Sequence, residues 1–219
     1  MKKIAFVLTS VILFSVLANS VKAQDSNVGF HGGVNISNLK FEQHKGNHAS
    51  AGLIGGFYYG YNFNTLIGTQ IGADFTVSGT EESGRETIPE TGETYDWNFE
   101  LDLYNIRVPL TFTVSPCDWL RFHIGPQFSF CTSGELFDTK AADYGGQVRY
   151  KLMRKDYNIF DIQALAGVDF RFYEHFVIAA RYQYGFRSAL KDNVGYDHEI
   201  LEAGKSFNRG ITLTVGLEF

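Results

Sequence analysis

Charged side chains recur at alternate positions, on the polar side of otherwise apolar segments. They are Arg107, Arg121, Arg171, Arg181 and Arg187, with Asp74, Asp161, Asp169 and Glu218. If those segments close into a barrel, this set is enclosed and must pair, because an unpaired buried charge is costly. Two chemistries fit it: an ion pathway, or a polar plug that keeps the barrel rigid. The plug is the expectation, since eight strands enclose roughly enough space for their own side chains.

A second constellation is apolar. Tyr95, Trp97, Phe99, Leu101 and Leu103 fall on one side of residues 95–103, with Asp96, Asn98, Glu100 and Asp102 on the other. Their parity is opposite to that of Ile106 and Val108. Either a bulge flips the phase near Leu103, or the strand runs on unbroken. In the second case Trp97, Phe99, Leu101 and Leu103 point inward above a membrane. They then form a small hydrophobic core, or a pocket for a small apolar ligand.

Other chemistry is weakly framed. Glu81, Glu82, Glu86, Glu90 and Glu93 crowd a stretch at 78–96, and such oxygens can hold calcium. They lack a fixed spacing, so a solvated loop is expected. His44 and His48 have a metal-like spacing but no third ligand. No metal and no cofactor is expected. Ser, His and Asp occur without a nucleophile motif, so no enzyme is expected.

The elements that must position these residues read as strands. Period-2 alternation marks eight segments: near 28–36, 53–61, 67–77, 104–114, 120–130, 160–170, 176–187 and 211–219. Connections near 62–65, 115–118 and 173–175 are short. Those near 38–50, 78–96, 132–157 and 188–206 are long. Short turns on one side and long loops on the other, with apolar faces about 9–11 residues tall, suit an outer-membrane barrel. The expected fold is therefore all-β: an eight-stranded antiparallel up-and-down transmembrane β-barrel with both chain ends periplasmic. Aromatic residues near the band edges, Tyr59, Tyr61, Tyr104, Trp119, Tyr182 and Tyr184, suit interfacial girdles. A soluble lipocalin-like barrel is the competing reading, because alternation alone does not tell inside from outside. Pro109 and Pro126 lie within strands of a ring that offers no edge, so each should mark a bulge or a missing hydrogen bond.

The N-terminus carries Lys2 and Lys3, an apolar run Ile4 to Leu17, and Val21-Lys22-Ala23. This reads as an export signal, residues 1–23, cleaved after Ala23 to leave a barrel domain at 24–219. A membrane anchor competes, but the run is roughly 14 residues and a spanning helix needs about 20. Removing Lys2, Lys3 and Lys22 from 19 basic residues leaves 16 against 24 acidic, a net charge of −8. That argues against nucleic acid as a partner. Cys117 and Cys131 are separated by one strand length, too far for a disulfide, so free thiols are expected.

Several motifs, in order, resemble the PorT-like outer-membrane β-barrel proteins. Gly29-Phe30-His31-Gly32-Gly33-Val34-Asn35-Ile36-Ser37-Asn38-Leu39 is similar to that family's opening strand. Leu103-Tyr104-Asn105-Ile106-Arg107-Val108-Pro109-Leu110 resembles its middle strand, with Pro109 in its usual place. Phe160-Asp161 with Ala166-Gly167-Val168, and Arg181-Tyr182-Gln183-Tyr184-Gly185, resemble its sixth and seventh strands. The likeness covers residues 27–219. It implies a barrel in the outer membrane of a Gram-negative bacterium, with Phe219 as the end signal for the barrel-assembly machinery. Through the family's namesake it also implies a role beside a protein-secretion system. The functional expectations are three: a monomeric structural or binding barrel that displays loops to envelope protein partners, a component of a secretion or transport assembly, or a carrier of a small hydrophobic ligand. Outer-membrane lipid is a partner in all three.

Overall fold

The computed structural model describes residues 26–42, 47–87, 92–139, 148–173, 175–191 and 204–219. The export signal, His44 and Glu90 lie outside these residues. Among the described residues nine strands form: β1 (Ser26–Phe41), β2 (His48–Asn62), β3 (Ile67–Thr87), β4 (Thr94–Cys117), β5 (Leu120–Asp138), β6 (Val148–Lys151), β7 (Phe160–Phe172), β8 (Phe176–Ser188) and β9 (Ser206–Glu218). Eight of them make a ring in which every neighbour is antiparallel: β1-β2-β3-β4-β5-β7-β8-β9 and back to β1. The short β6 stands outside the ring, paired to the far end of β5 through Glu135–Asp138.

Closure consumes the edges that an open sheet would expose. The β1–β9 ladder runs from Gly29 opposite Glu218 to Phe41 opposite Ser206. Val28 and Phe219 then exchange both backbone hydrogen bonds, at 2.9 and 2.8 Å. The C-terminal residue is thus a ladder member, with its ring 64% exposed on the outside.

The alternation resolves into a polar inside and an apolar outside. Inward residues include Asn35, Gln70, Asp74, Arg107, Arg121, Gln127, Gln163, Asp169 and Gln183, all buried. Outward residues include Phe30, Leu53, Ile71, Phe75, Phe122, Ile124, Ile178, Leu213 and Val215, all exposed. A barrel in water would be arranged the other way round, because exposed apolar surface is the unfavourable term there. The lipocalin-like alternative is therefore set aside: this belt faces hydrocarbon. No helix among the described residues is long and apolar enough to cross a membrane, so crossing is done by strands.

The short turns hold as expected, at residues 63–66, at Asp118–Trp119 and near Tyr173. In the first, the Asn64 Oδ1 accepts hydrogen bonds from the Leu66 and Ile67 amides at 2.9 and 2.8 Å, an Asx turn that needs no glycine. The prolines keep register. Pairings sum consistently from Val108–Phe128 through Pro109–Gln127 to Phe112–Ile124, and the shifts in this strand pair fall elsewhere. What is lost is pairing beside each proline: the β3–β4 register skips from Ile71–Leu110 to Asp74–Arg107. Gly72 sits opposite that gap, where a Cβ would lie 3.2 Å from Pro109 Cγ.

The stretch at 78–96, expected as a loop, is mostly strand. β3, β4 and β5 run 21, 24 and 19 residues, against 13 to 16 for β1, β2, β7, β8 and β9. They rise as a wall above the apolar belt at the end that carries the long connections. The reason is visible only in pairing: Glu81, Glu82 and Arg85 find partners in Glu100, Phe99 and Asp96 across the ladder. The Arg85–Asp96 pair adds a surface ion contact at 2.7 Å, of small energetic weight because it is solvated.

Candidate functional site

The interior is built in tiers along the bore. At the short-turn end, Arg121 on β5 makes two hydrogen bonds to the Glu218 carboxylate on β9, 2.7 and 2.8 Å long. Arg171 reaches the same carboxylate at 2.9 Å. The Tyr58 hydroxyl donates to it at 2.8 Å. The Tyr58 ring lies under Gly29, where any Cβ would collide with it. One acid on β9 is thus held by two guanidiniums and a phenol drawn from three other strands, β5, β7 and β2.

The next tier centres on Asp169. His123 Nε2 lies 2.7 Å from one oxygen and Arg181 Nη2 lies 3.6 Å from the other. Asp74 is met by His31 at 3.1 Å. Above them is an amide layer: Arg107 donates to Gln183 at 2.6 Å, Gln127 to Gln163 at 2.6 Å, and Gln163 to Asp161 at 2.8 Å. Gln183 in turn donates to Asn35 at 2.9 Å. Arg107 to Gln183 joins β4 to β8 across the bore.

Eight of the nine charges expected on the inward face from alternation fall there, with Arg171 partly exposed. Arg187 does not. Its side chain is exposed, with Cζ over the Phe160 ring at 5.7 Å, and only its backbone amide reaches Asp161. The cause is a register shift in β8–β9 between Tyr184 and Ser188, which turns both Phe186 and Arg187 outward. His31, His123, Tyr58 and the four glutamines and asparagines of the amide layer were not singled out by charge. For His123, Gln163 and Gln183 the signal was parity, since each stands two residues from a charge on the same face, Arg121, Asp161 and Arg181. His31, Asn35, Tyr58 and Gln127 have no charged residue two or four positions away.

The topmost tier is apolar. Trp97, Phe99, Leu101 and Leu103 share the inward face with Asn105 and Arg107, so β4 runs through without a phase change. Phe99 and Leu101 have no exposed surface and Leu103 only 2%. They pack with Leu39, Phe41, Leu136 and Leu152, with Trp97 against the cluster. The flip occurs instead on β5: a bulge at Thr132 moves the inward positions from Ser129 and Cys131 to Gly134 and Leu136. A void of about 10 Å³ lined by Leu103, Asn105, Cys131 and Asp161 separates the amide layer from this cluster. It has room for about one water. Both cysteines are free, Cys131 buried and Cys117 at the end of β4. Among the described residues no group of three His, Cys, Asp or Glu is placed to hold a metal.

On the outside of the wall, Glu100, Asp102 and Glu135 line a cleft of about 410 Å³ with Arg149. Burial pushes the Asp102 carboxyl up to about 6 from its usual 3.8, and Glu100 and Glu135 add repulsion. An acid whose folded value is raised gains a proton on folding between the two values, so the wall is firmer below pH 6 than above it. Amide exchange across residues 100–104 and 133–137, corrected for intrinsic rate, should be slower at pH 5 than at pH 8. Asp102→Asn should abolish that difference. An unchanged pH response in that variant would assign it to another group.

A family model for the outer membrane protein beta-barrel domain matches residues 22–191. The chain belongs to that family. Membership places it in the outer membrane of a Gram-negative bacterium, within the lipid bilayer its apolar belt requires. Among solved structures, it is similar to Ail, the attachment invasion locus protein of Yersinia pestis, solved with the heparin analogue sucrose octasulfate. Identity there is 14%, TM-score 0.48, covering 90% of this chain and 100% of that one. Neisserial surface protein A is similar at 11% identity and TM-score 0.49, covering 89% and 97%. A de novo designed transmembrane β-barrel is similar at 8% and 0.38, covering 91% and 100%. No curated protein matches the sequence.

Proposed function

We propose that this barrel is a plugged membrane anchor that presents its β3–β4–β5 wall at the cell surface as a docking face for an envelope or cell-surface protein. The observation that carries the reading is the wall itself, 19 to 24 residues per strand where the belt needs about 9–11. Its inner side is closed by its own apolar cluster, so its height is maintained without a partner. Both termini then lie in the periplasm with the short turns, and Phe219 serves the assembly machinery. The barrel works as a monomer, with no catalytic step. A secretion or transport assembly of the PorT-like kind would use the same face, and purification of a stable envelope complex would assign it there. Binding of a small apolar ligand at Trp97, Phe99, Leu101 and Leu103 has less support, because Phe99 and Leu101 are wholly covered.

The test removes the top of the wall. Replacing residues 83–98 with an Asn-Gly turn joins Glu82 to Phe99, which already face each other. The shortened protein should keep its heat-modifiable migration on gels, the mark of a folded barrel. Cross-links to envelope proteins in intact cells should disappear. Identical cross-links from the full and shortened chains would refute the docking face.

A further inference from the structure

On the opposite side of the ring from the wall, the surface chemistry reverses. β8 and β9 stand across the barrel from β3 and β4. A cleft of about 650 Å³ opens there at the long-connection end. Four cations line it, Lys155, Arg187, Lys191 and Lys205, together with Phe186 and Phe207. All four cations are exposed. Among the described residues no Asp or Glu lines the cleft, in a chain whose net charge is −5. The acids of the wall, Glu100, Asp102 and Glu135, are on the far side. The acids of 192–203 lie outside the described residues.

Height along the barrel says what this cleft meets. The outward residues of β8 run from Phe176 to Phe186, both exposed. Ten steps at about 3.3 Å, tilted by roughly 40°, rise about 25 Å, the thickness of an outer-membrane apolar band. Phe186 therefore marks the upper edge of the belt, and Arg187 is the first residue above it. On β9 the same level is marked by Arg209, whose guanidinium lies 4.7 Å from the Tyr184 ring centre and donates to the Tyr184 hydroxyl at 3.3 Å. An aromatic rim with cations just above it is the composition of a headgroup-level site. Being open both to water and to the lipid alongside Phe186, the cleft suits a ligand whose acyl chains lie on the belt and whose anionic group reaches upward.

We propose that this cleft binds the phosphate of a phosphorylated glycolipid of the outer leaflet, held by Arg187, Lys191, Lys205 and Lys155 with its sugar against Phe186 and Phe207. A guanidinium and three ammonium groups suit a dianionic phosphate, which accepts several charge-assisted hydrogen bonds at once. The biological assignment rests on the orientation proposed above, with the long connections at the outer leaflet.

The experiment uses the full mature chain refolded into phosphatidylcholine nanodiscs doped with bis-phosphorylated lipid A, or with the same lipid A dephosphorylated. Retained lipid is counted by native mass spectrometry. The phosphorylated form should be retained and the dephosphorylated form lost. Each interfacial cation contributes about fivefold, so Arg187→Gln with Lys205→Gln should weaken retention roughly 25-fold while heat-modifiability is unchanged. The charge-conserving pair Arg187→Lys with Lys205→Arg should restore it. Equal retention of the two lipids, or no loss in the neutral pair, would overturn the site. So would binding of inorganic phosphate alone as tightly as lipid A. Cross-linking of two copies through this face in lipid-A-free discs, lost in the neutral pair, would reassign it to a second copy of the chain. Nanodiscs offer the same lipid to both ends, so the outcome does not depend on orientation. Thiol labelling of Lys191→Cys in intact cells reads orientation separately.

Discussion

Arg121→Met should destabilise the folded barrel by about 3–5 kcal/mol, the usual range for breaking a buried ion pair by removing one partner. Arg121 and Glu218 are each 3% exposed at the side chain, so solvent does not soften the loss. Glu218 would keep Tyr58 and the half-exposed Arg171 but lose both of its Arg121 hydrogen bonds. Because Glu218 stands on the closing strand, opposite Gly29, the loss is expected at the β1–β9 seam. The measurement is the denaturant midpoint of the refolded protein in detergent, with heat-modifiability as the folding check. Adding Glu218→Gln to the same chain should recover a good part of the stability, since the stranded charge is then gone. A single variant as stable as the parent would mean that water or Arg171 already neutralises Glu218.

Phe99→Ala should cost about 3–5 kcal/mol, as for a large side chain removed from a closed core. The loss should fall on the wall rather than on the ring. Phe99 touches the upper cluster of Leu39, Leu101 and Leu136, above the amide layer, and the belt strands below are held by their own ladders. Hydrogen exchange should speed up in residues 78–87, 94–104 and 133–138, with the amides of β8 and β9 unchanged. If protection fell uniformly around the ring, wall and belt would be one cooperative unit and the wall would not be a separable platform. The same variant would weaken the docking function if the wall must be rigid to serve it.

How much of this was legible beforehand differs by residue. Arg107, Arg121, Arg181, Asp74 and Asp169 could be assigned to one face because strand parity is kept through the segments that hold them. Arg187 was misassigned by the same logic, since a two-residue register shift in a strand pair leaves no mark on composition. The phase problem near Leu103 was visible as a conflict of parity, but its resolution was not. The conflict sits on β4, whereas the bulge that accommodates the upper core sits on β5 at Thr132, beside Ser133-Gly134, the one local mark of it. The stretch from Ser78 to Thr87, rich in Glu, Gly and Ser, has loop composition. It becomes strand because β4 offers it a continuous partner.

By itself the sequence determined the number of strands in the ring, though not the short β6 outside it, the alternation of faces, the sorting of short turns from long connections and the identity of most charges that must be enclosed. These follow from period-2 geometry and turn chemistry, which are local. Only the tertiary structure decided which face looks inward and which acid meets which base. It likewise decided that the wall rises above the belt, and that cations from β8, the β8–β9 connection and the β6–β7 connection gather in one cleft. Those outcomes depend on ring closure and register, which bring together residues as distant in the chain as Arg121 and Glu218. No local pattern carries that information, because the free energy that selects it is released only when the last strand pairs with the first.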